Sequence, residues 1–188
     1  MVAGLRLMKI LESAACYTLP TGEQFQQLLN KNFCAAFCIE CSKSEPLGLE
    51  DGSIPDESIS ASSIVAGEGR LNGEAWCAWS DGLNAWFEVD LGESTVVSGL
   101  ITQGYDKSWH WRVTEYKVKY KKISSSDYEH VKDNNGAIQV FEGNIDDSTT
   151  RVTNMFDQSI VATTVRIEPV AFIEIFALRL ELLGCHIN

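Results

Sequence analysis

From residue 41 onward, apolar and polar positions alternate with a period of two. In WFEVDL (86–91), Phe87, Val89 and Leu91 share one face. In VTEYKVKYK (113–121), Tyr116, Val118 and Tyr120 point one way, while Glu115, Lys117, Lys119 and Lys121 point the other. FALRLELLGC (176–185) repeats the pattern, with Phe176, Leu178, Leu180 and Leu182 inward and Arg179 and Glu181 opposite. This is the pattern of strands with one buried face. TVVSGLI and VATTVRI are more continuously apolar and predict central strands. Turn chemistry separates the runs in EDGSIPDE, GEGRLNG, SDGLN, KDNNG and EGNIDDS. Short strands without intervening helical segments mean an all-β sandwich or barrel.

The first forty residues have a different texture. TGEQFQQLLNK sets Thr21 and Gln24 at capping-box spacing, with Phe25, Leu28 and Leu29 behind them, and predicts one short helix. Residues 1–40 therefore read as an N-terminal extension, poorly ordered or holding that helix, in front of a domain over 41–185. At 188 residues and 45% hydrophobic, the chain is long enough for one compact domain with a substantial core.

Charge narrows the partners. The formal net charge is −11, and residues 1–40 hold three basic and three acidic side chains, so the whole excess lies beyond them. Such a domain repels phosphate backbones, which argues against nucleic acid, and it weakens electrostatic attachment to anionic lipid. No apolar run approaches the roughly 20 residues of a membrane span. The N-terminus, with Arg6, Lys9 and Glu12 breaking its apolar stretch, is a poor signal peptide. The leader is missing from this sequence, or export is unconventional, or the protein stays inside.

Six cysteines (Cys16, Cys34, Cys38, Cys41, Cys77 and Cys185) suggest disulfides without a disulfide-only scaffold. Cys34, Cys38 and Cys41 could also be three thiolates of a zinc site, and Cys38 with Cys41 a redox pair. No histidine or second CxxC lies near them, and the plainer reading is one structural bridge plus leftover thiols.

A series of segments then falls into a familiar order. LGLEDGSIPDESISASS (47–63), GRLNG (69–73) with EAWCAW (74–79), WFEVDLGE (86–93), TQG (102–104), EYKVKY (115–120), FEGNIDDST (141–149) and VRIEPVAFIEIFALRLELLGC (165–185) together resemble a discoidin domain, or coagulation factor V/VIII type C domain. The resemblance covers 41–185. It implies an antiparallel jelly-roll β-sandwich of about eight strands, ends joined by one disulfide and a binding surface made by loops at one rim. The implied disulfide is Cys41–Cys185, which leaves Cys77 either a buried thiol or tied to the N-terminal cysteines.

On the same resemblance Trp76, Trp86, Trp111, Arg179 and Gly184-Cys185 occupy framework positions. Trp109 and His110, at the apex of the connection after TQG, fall on a rim loop, so the expectation is that Trp109 faces water and Trp111 does not. Ile64 and Val65 in SSIVAGEGRLN, and Trp79 with Asp81 in AWSDGLN, are the other rim candidates. Lipid-binding members carry a long first loop tipped with bulky apolar groups; here the positions between Ser63 and Arg70 offer only Ile64 and Val65, which disfavours deep insertion.

A shallow rim of Trp79, Asp81, Asp106, Trp109, His110 and Arg112 instead suits a sugar. An indole stacks on the apolar face of the ring, and carboxylate, imidazole or guanidinium groups bond its hydroxyls. Glu50, Asp51 and Asp56 are the weak candidates for a structural calcium of the kind some sugar-binding relatives hold, although they lack EF-hand spacing. Asp146 and Asp147 read as turn-capping acids. No GxSxG, HExxH or phosphate-cradling loop points to an enzyme, and there is neither an RGD tripeptide nor an Asn-x-Ser/Thr sequon. The expected function is extracellular, non-catalytic recognition in cell adhesion. A galactose or N-acetylgalactosamine glycan comes first, a protein or matrix ligand such as collagen second, and anionic phospholipid third. No cofactor beyond a possible calcium is expected.

Overall fold

The computed structural model describes residues 41–188 other than Ser42, 64–68, 80–81, 106–109, Asp147 and Asn188. The helix expected in TGEQFQQLLNK, and Cys16, Cys34 and Cys38, lie outside the described residues. Among the described residues nine strands run in the order β1 (Glu45–Pro46), β2 (Ile59–Ala61), β3 (Trp76–Ala78), β4 (Phe87–Gln103), β5 (Arg112–Lys121), β6 (Glu129–His130), β7 (Val140–Glu142), β8 (Val152–Ile173) and β9 (Phe176–His186). Every pairing between these strands is antiparallel. The main path across the sheet is β1-β9-β4-β8-β5-β6, which puts TVVSGLI and VATTVRI in the centre as their apolar runs predict.

Two strands that read separately in the sequence are arms of one. WFEVDL and TVVSGLI merge in β4, whose pairing with β8 shifts register between Asp90 and Thr95. Gly92 sits at that corner with φ 72, a backbone open to glycine, and its N–H is held by Asp90 Oδ1 at 2.9 Å. Both arms feed the same core, Phe87 and Val89 from one and Val97 and Leu100 from the other, so the ribbon folds over on itself as a sandwich. Trp76, Phe87, Tyr116 and Phe176 are its largest buried rings. Trp76 packs on Phe87 with centroids 5.7 Å apart, and Phe141 stacks on Tyr116 at 5.5 Å.

The inward faces match the alternation, but β9 departs from it. Arg179 and Glu181, expected on an outer polar face, are both buried. The reason is a loop that covers that face. The Glu181 carboxylate accepts the N–H groups of Gly48 (3.3 Å), Leu49 (3.1 Å), Glu50 (2.7 Å) and Leu182 (2.8 Å). Arg70 clamps the same loop from its other side, donating to the carbonyls of Leu49 (2.9 Å) and Ile54 (2.8 Å) and pairing with Asp56 at 2.6 Å. A carboxylate takes the loop's amides and a guanidinium takes its carbonyls, so a segment without regular structure is satisfied next to the core.

Cys41 and Cys185 form a disulfide, with Cα atoms 5.7 Å apart and a sequence separation of 144. Closing so long a loop removes roughly 5 kcal/mol of unfolded-chain entropy in the simple chain model. Cys77, on β3, is half-buried with its Sγ 3.8 Å from the Ala75 carbonyl.

Candidate ligand-binding rim

Register fixes which strand ends meet. Ala78 pairs with Phe176, Gln103 with Arg179 and Arg112 with Ile173. The connections after β3, between β4 and β5, and between β8 and β9 therefore emerge at one rim of the sandwich. Four buried polar side chains tie the loops there to the scaffold. Arg179 donates from Nε to Gly104 O at 2.7 Å, and Gln103 donates to Thr149 O (2.7 Å) while accepting from Asn72 N (3.0 Å). Asn144 donates to Thr150 O at 2.7 Å. Arg112 donates to His110 O (2.8 Å) and Ile145 O (3.1 Å). Gly104 is required where the chain leaves β4, because a Cβ there would lie 2.6 Å from that of Arg112.

Arg112 is thus not a ligand-facing group, contrary to the expectation from its rim position. Its side chain is buried, and its guanidinium bonds loop carbonyls.

Aromatic residues from two loops meet above this base. Tyr105 N–H bonds Trp111 O at 2.8 Å, closing the β4–β5 connection and bringing the two rings into a stack at 5.9 Å with 23° between planes. Trp79, from the connection after β3, meets Trp111 edge to face at 4.7 Å and 85°. The indole N–H of Trp111 donates to Glu174 Oε2, 3.1 Å away in the β8–β9 turn. Trp111 is therefore a half-buried member of the rim, not a core residue, and the expected framework role is corrected. Its strand starts one residue later, so it belongs to the loop that the next turn of sheet supports. Trp79 is 68% exposed. His110 is exposed as well, with φ 59.

Asp81, Asp106, Trp109, Ile64 and Val65 lie outside the described residues, so their expected places at the rim stand as expectations. The role of Glu174 was not visible beforehand. Its only sequence signal is a charged residue between apolar ones at a strand reversal.

The calcium candidates do not converge. Glu50 pairs with Arg151 at 2.7 Å and bonds Asn72. Asp51 accepts the Ser53 N–H at 2.9 Å, a bond that holds its carboxyl below the usual carboxylate range. Asp56 pairs with Arg70. Among the described residues no group of three or more His, Cys, Asp or Glu side chains is placed to hold a metal.

Trp86 is half-buried on an outer face, where the Arg166 guanidinium lies 4.1 Å from its ring centroid and 4.4 Å from that of Tyr128. Arg166 also pairs with Glu88 at 2.7 Å. Arg166 thus joins the Trp86 and Tyr128 rings in a cation–π stack on the sheet. A pocket of about 130 Å³ lies beside Asn144, between Glu142 and Val152. That is below the roughly 300 Å³ at which pockets for drug-sized ligands begin.

Residues 55–182 match the family described as the F5/8 type C domain. The chain belongs to the discoidin, or F5/8 type C, family. Lactadherin of Mus musculus is 36% identical over 161 residues, covering 76% of this chain and 34% of lactadherin, so the chain spans about a third of that relative's length. Among solved structures, discoidin II of Dictyostelium discoideum superimposes with a TM-score of 0.61 at 20% identity, covering 79% of this chain and 61% of that one. A family 32 carbohydrate-binding module from C. perfringens NanJ, solved with galactose, gives 0.54 at 19%, covering 75% and 99%. At such identities the two structures speak for the discoidin fold alone.

Proposed function

We propose that this discoidin domain is a non-catalytic, extracellular recognition module whose rim binds a galactose-type glycan in cell adhesion. The observation that carries the reading is Trp79. A tryptophan 68% exposed and braced edge-on by a second indole is an apolar platform held at fixed orientation, the feature that stacks on the C–H face of a galactose ring. Exposed His110 offers a polar group from the β4–β5 connection, whose sequence also carries Asp106 and Trp109, and Asp81 follows Trp79 by two positions. The galactose bound to the C. perfringens module supports the choice by analogy of fold. The Cys41–Cys185 bridge supports an oxidising compartment. Residues 41–185 form the recognition unit, and 1–40 are an appended segment.

A glycan array, run with calcium and with chelator, tests the reading. Galactosyl or N-acetylgalactosaminyl ligands should be retained in both conditions and lost in Trp79→Ala. Absence of any glycan signal would sink it.

A matrix protein is the second reading. Phe172 and Ile173, 42% and 39% exposed at the end of β8, would extend an apolar contact beyond what one sugar ring covers. Binding to immobilised collagen with no glycan signal would favour it.

A further inference from the structure

The reversal between β8 and β9 is made in an unfavourable way. Ile175 N–H bonds Ile173 O at 2.8 Å, a three-residue γ-turn, and the central residue Glu174 has φ 62. Three-residue turns with positive φ are rare and strained, and left-handed backbone disfavours a side chain that glycine would dispense with. Nothing in the turn itself calls for a glutamate. The side chain is exposed and fills no core.

What the glutamate does instead is reach another loop. Its Oε2 accepts the Trp111 indole N–H at 3.1 Å, and Tyr105 and Trp79 hold the ring of Trp111 by stack and edge. The indole can rotate about its side-chain bonds unless its edge is tied, and Glu174 is the tie. Trp79 has little other support, being 68% exposed, so its orientation follows that of Trp111. Strain retained at a rim by a residue whose carboxylate orients a recognition side chain points to function.

We propose that Glu174 is a positioning residue for ligand recognition: it fixes the Trp111 indole, which in turn holds the open face of Trp79 toward the ligand. This rests on the reading of the rim as the glycan surface. Glu174 does not touch the ligand in this scheme; it sets the geometry of the groups that do.

The test compares Glu174→Gly and Glu174→Gln in the full chain. Glycine removes the carboxylate and suits the left-handed turn, so the melting temperature should hold or rise. Its affinity for N-acetylgalactosamine, measured by titration calorimetry, should fall about tenfold, the factor set by losing one modest hydrogen bond. Glutamine keeps an acceptor for the indole and should lose less. In spectra of indole-labelled protein, the Trp111 N–H resonance, assigned with Trp111→Phe, should move in Glu174→Gly before any ligand is added. Unchanged affinity in Glu174→Gly, with wild type binding the sugar, overturns the inference and leaves the glycan reading standing. If wild type binds no galactoside, the glycan reading fails by itself. The indole spectrum then decides: a shifted Trp111 resonance and a broadened Trp79 resonance support the positioning role, and unchanged spectra refute it.

Discussion

Trp79 and Trp111 come from different loops and meet edge to face, 4.7 Å apart with their planes at 85°. One is open to solvent and the other half-buried, so under the proposed function the pair divides support from recognition. Trp79→Ala removes an edge contact from a largely exposed side chain and should cost about 1 kcal/mol of stability or less. It should nonetheless weaken ligand binding by about 2 kcal/mol or more, as exposed aromatic anchors do. Trp111→Ala loses two ring contacts and a hydrogen bond, and should cost about 2 kcal/mol in folding as well as binding, short of the roughly 3–5 kcal/mol of a core aromatic. Chemical denaturation beside a binding titration separates the two. Equal stability losses in both variants would contradict this division of roles.

That division was half legible in the sequence. Trp79 stood out as a rim candidate through the resemblance to the discoidin family, which puts AWSDGLN on a rim loop. Trp111 did not, because a large aromatic one position before a strand can turn inward or toward a neighbouring loop. The choice is made by Trp79 and Glu174, both distant in sequence. The same limit explains β9. Alternation placed Phe176, Leu178, Leu180 and Leu182 correctly, since they need only their own strand and the core. Arg179 and Glu181 were misread because a polar position is outward only if nothing covers it. The covering loops over 47–54 and around Gly104 and Ser148 are assembled by the fold. Arg112 is the third case: a charge beside a rim loop looks available until the loop's carbonyls are seen to consume it.

Glu181 gives a direct check on the covering loop. Its carboxylate serves four backbone N–H groups, three of them in the loop. Glu181→Gln keeps one acceptor oxygen and turns an amide NH₂ toward a backbone donor, leaving at least the part-buried Glu50 N–H unmatched. The expected loss is about 2–3 kcal/mol in urea denaturation. Hydrogen exchange at Gly48, Leu49 and Glu50 should quicken in the same variant. A loss under about 0.5 kcal/mol would mean that water replaces the carboxylate without cost.

Alkaline pH should loosen the fold through two tyrosines. Burial pushes the Tyr116 phenol well above its ordinary range, partly offset by the hydrogen bond from Asn154. Tyr128 is raised to about 12, by burial first and then by its hydrogen bond to Glu88 and that group's charge. Both phenols ionise more readily in the unfolded chain, near pH 10. Above that pH the unfolded state holds fewer protons than the folded one, so stability falls as pH rises. Below it the two states bind equally and nothing changes. Urea midpoints taken across this range should decline for wild type and decline less for Tyr116→Phe. A flat wild-type profile would contradict the buried neutral phenol.

The ranking of lipid below glycan makes the last prediction. Residues 41–188 hold twelve Lys and Arg against twenty-three Asp and Glu. A surface of that balance is repelled by phosphatidylserine, so vesicles of this lipid should bind weakly at physiological ionic strength. Salt supplies the sign that distinguishes mechanisms. Where basic groups drive attachment, added salt weakens it; where repulsion opposes attachment, screening over a Debye length of about 8 Å strengthens what binding exists. For this domain, residual vesicle association should therefore grow or stay level as salt rises. Calcium complicates the sign by bridging carboxylates to phosphates, so the series is run with chelator present. Tight binding that salt abolishes would reveal a local basic patch outweighing the net charge. Tight binding that salt leaves intact, but that Ile64→Ser with Val65→Ser removes, would show apolar insertion by the first rim loop, and the lipid reading would then displace the glycan one.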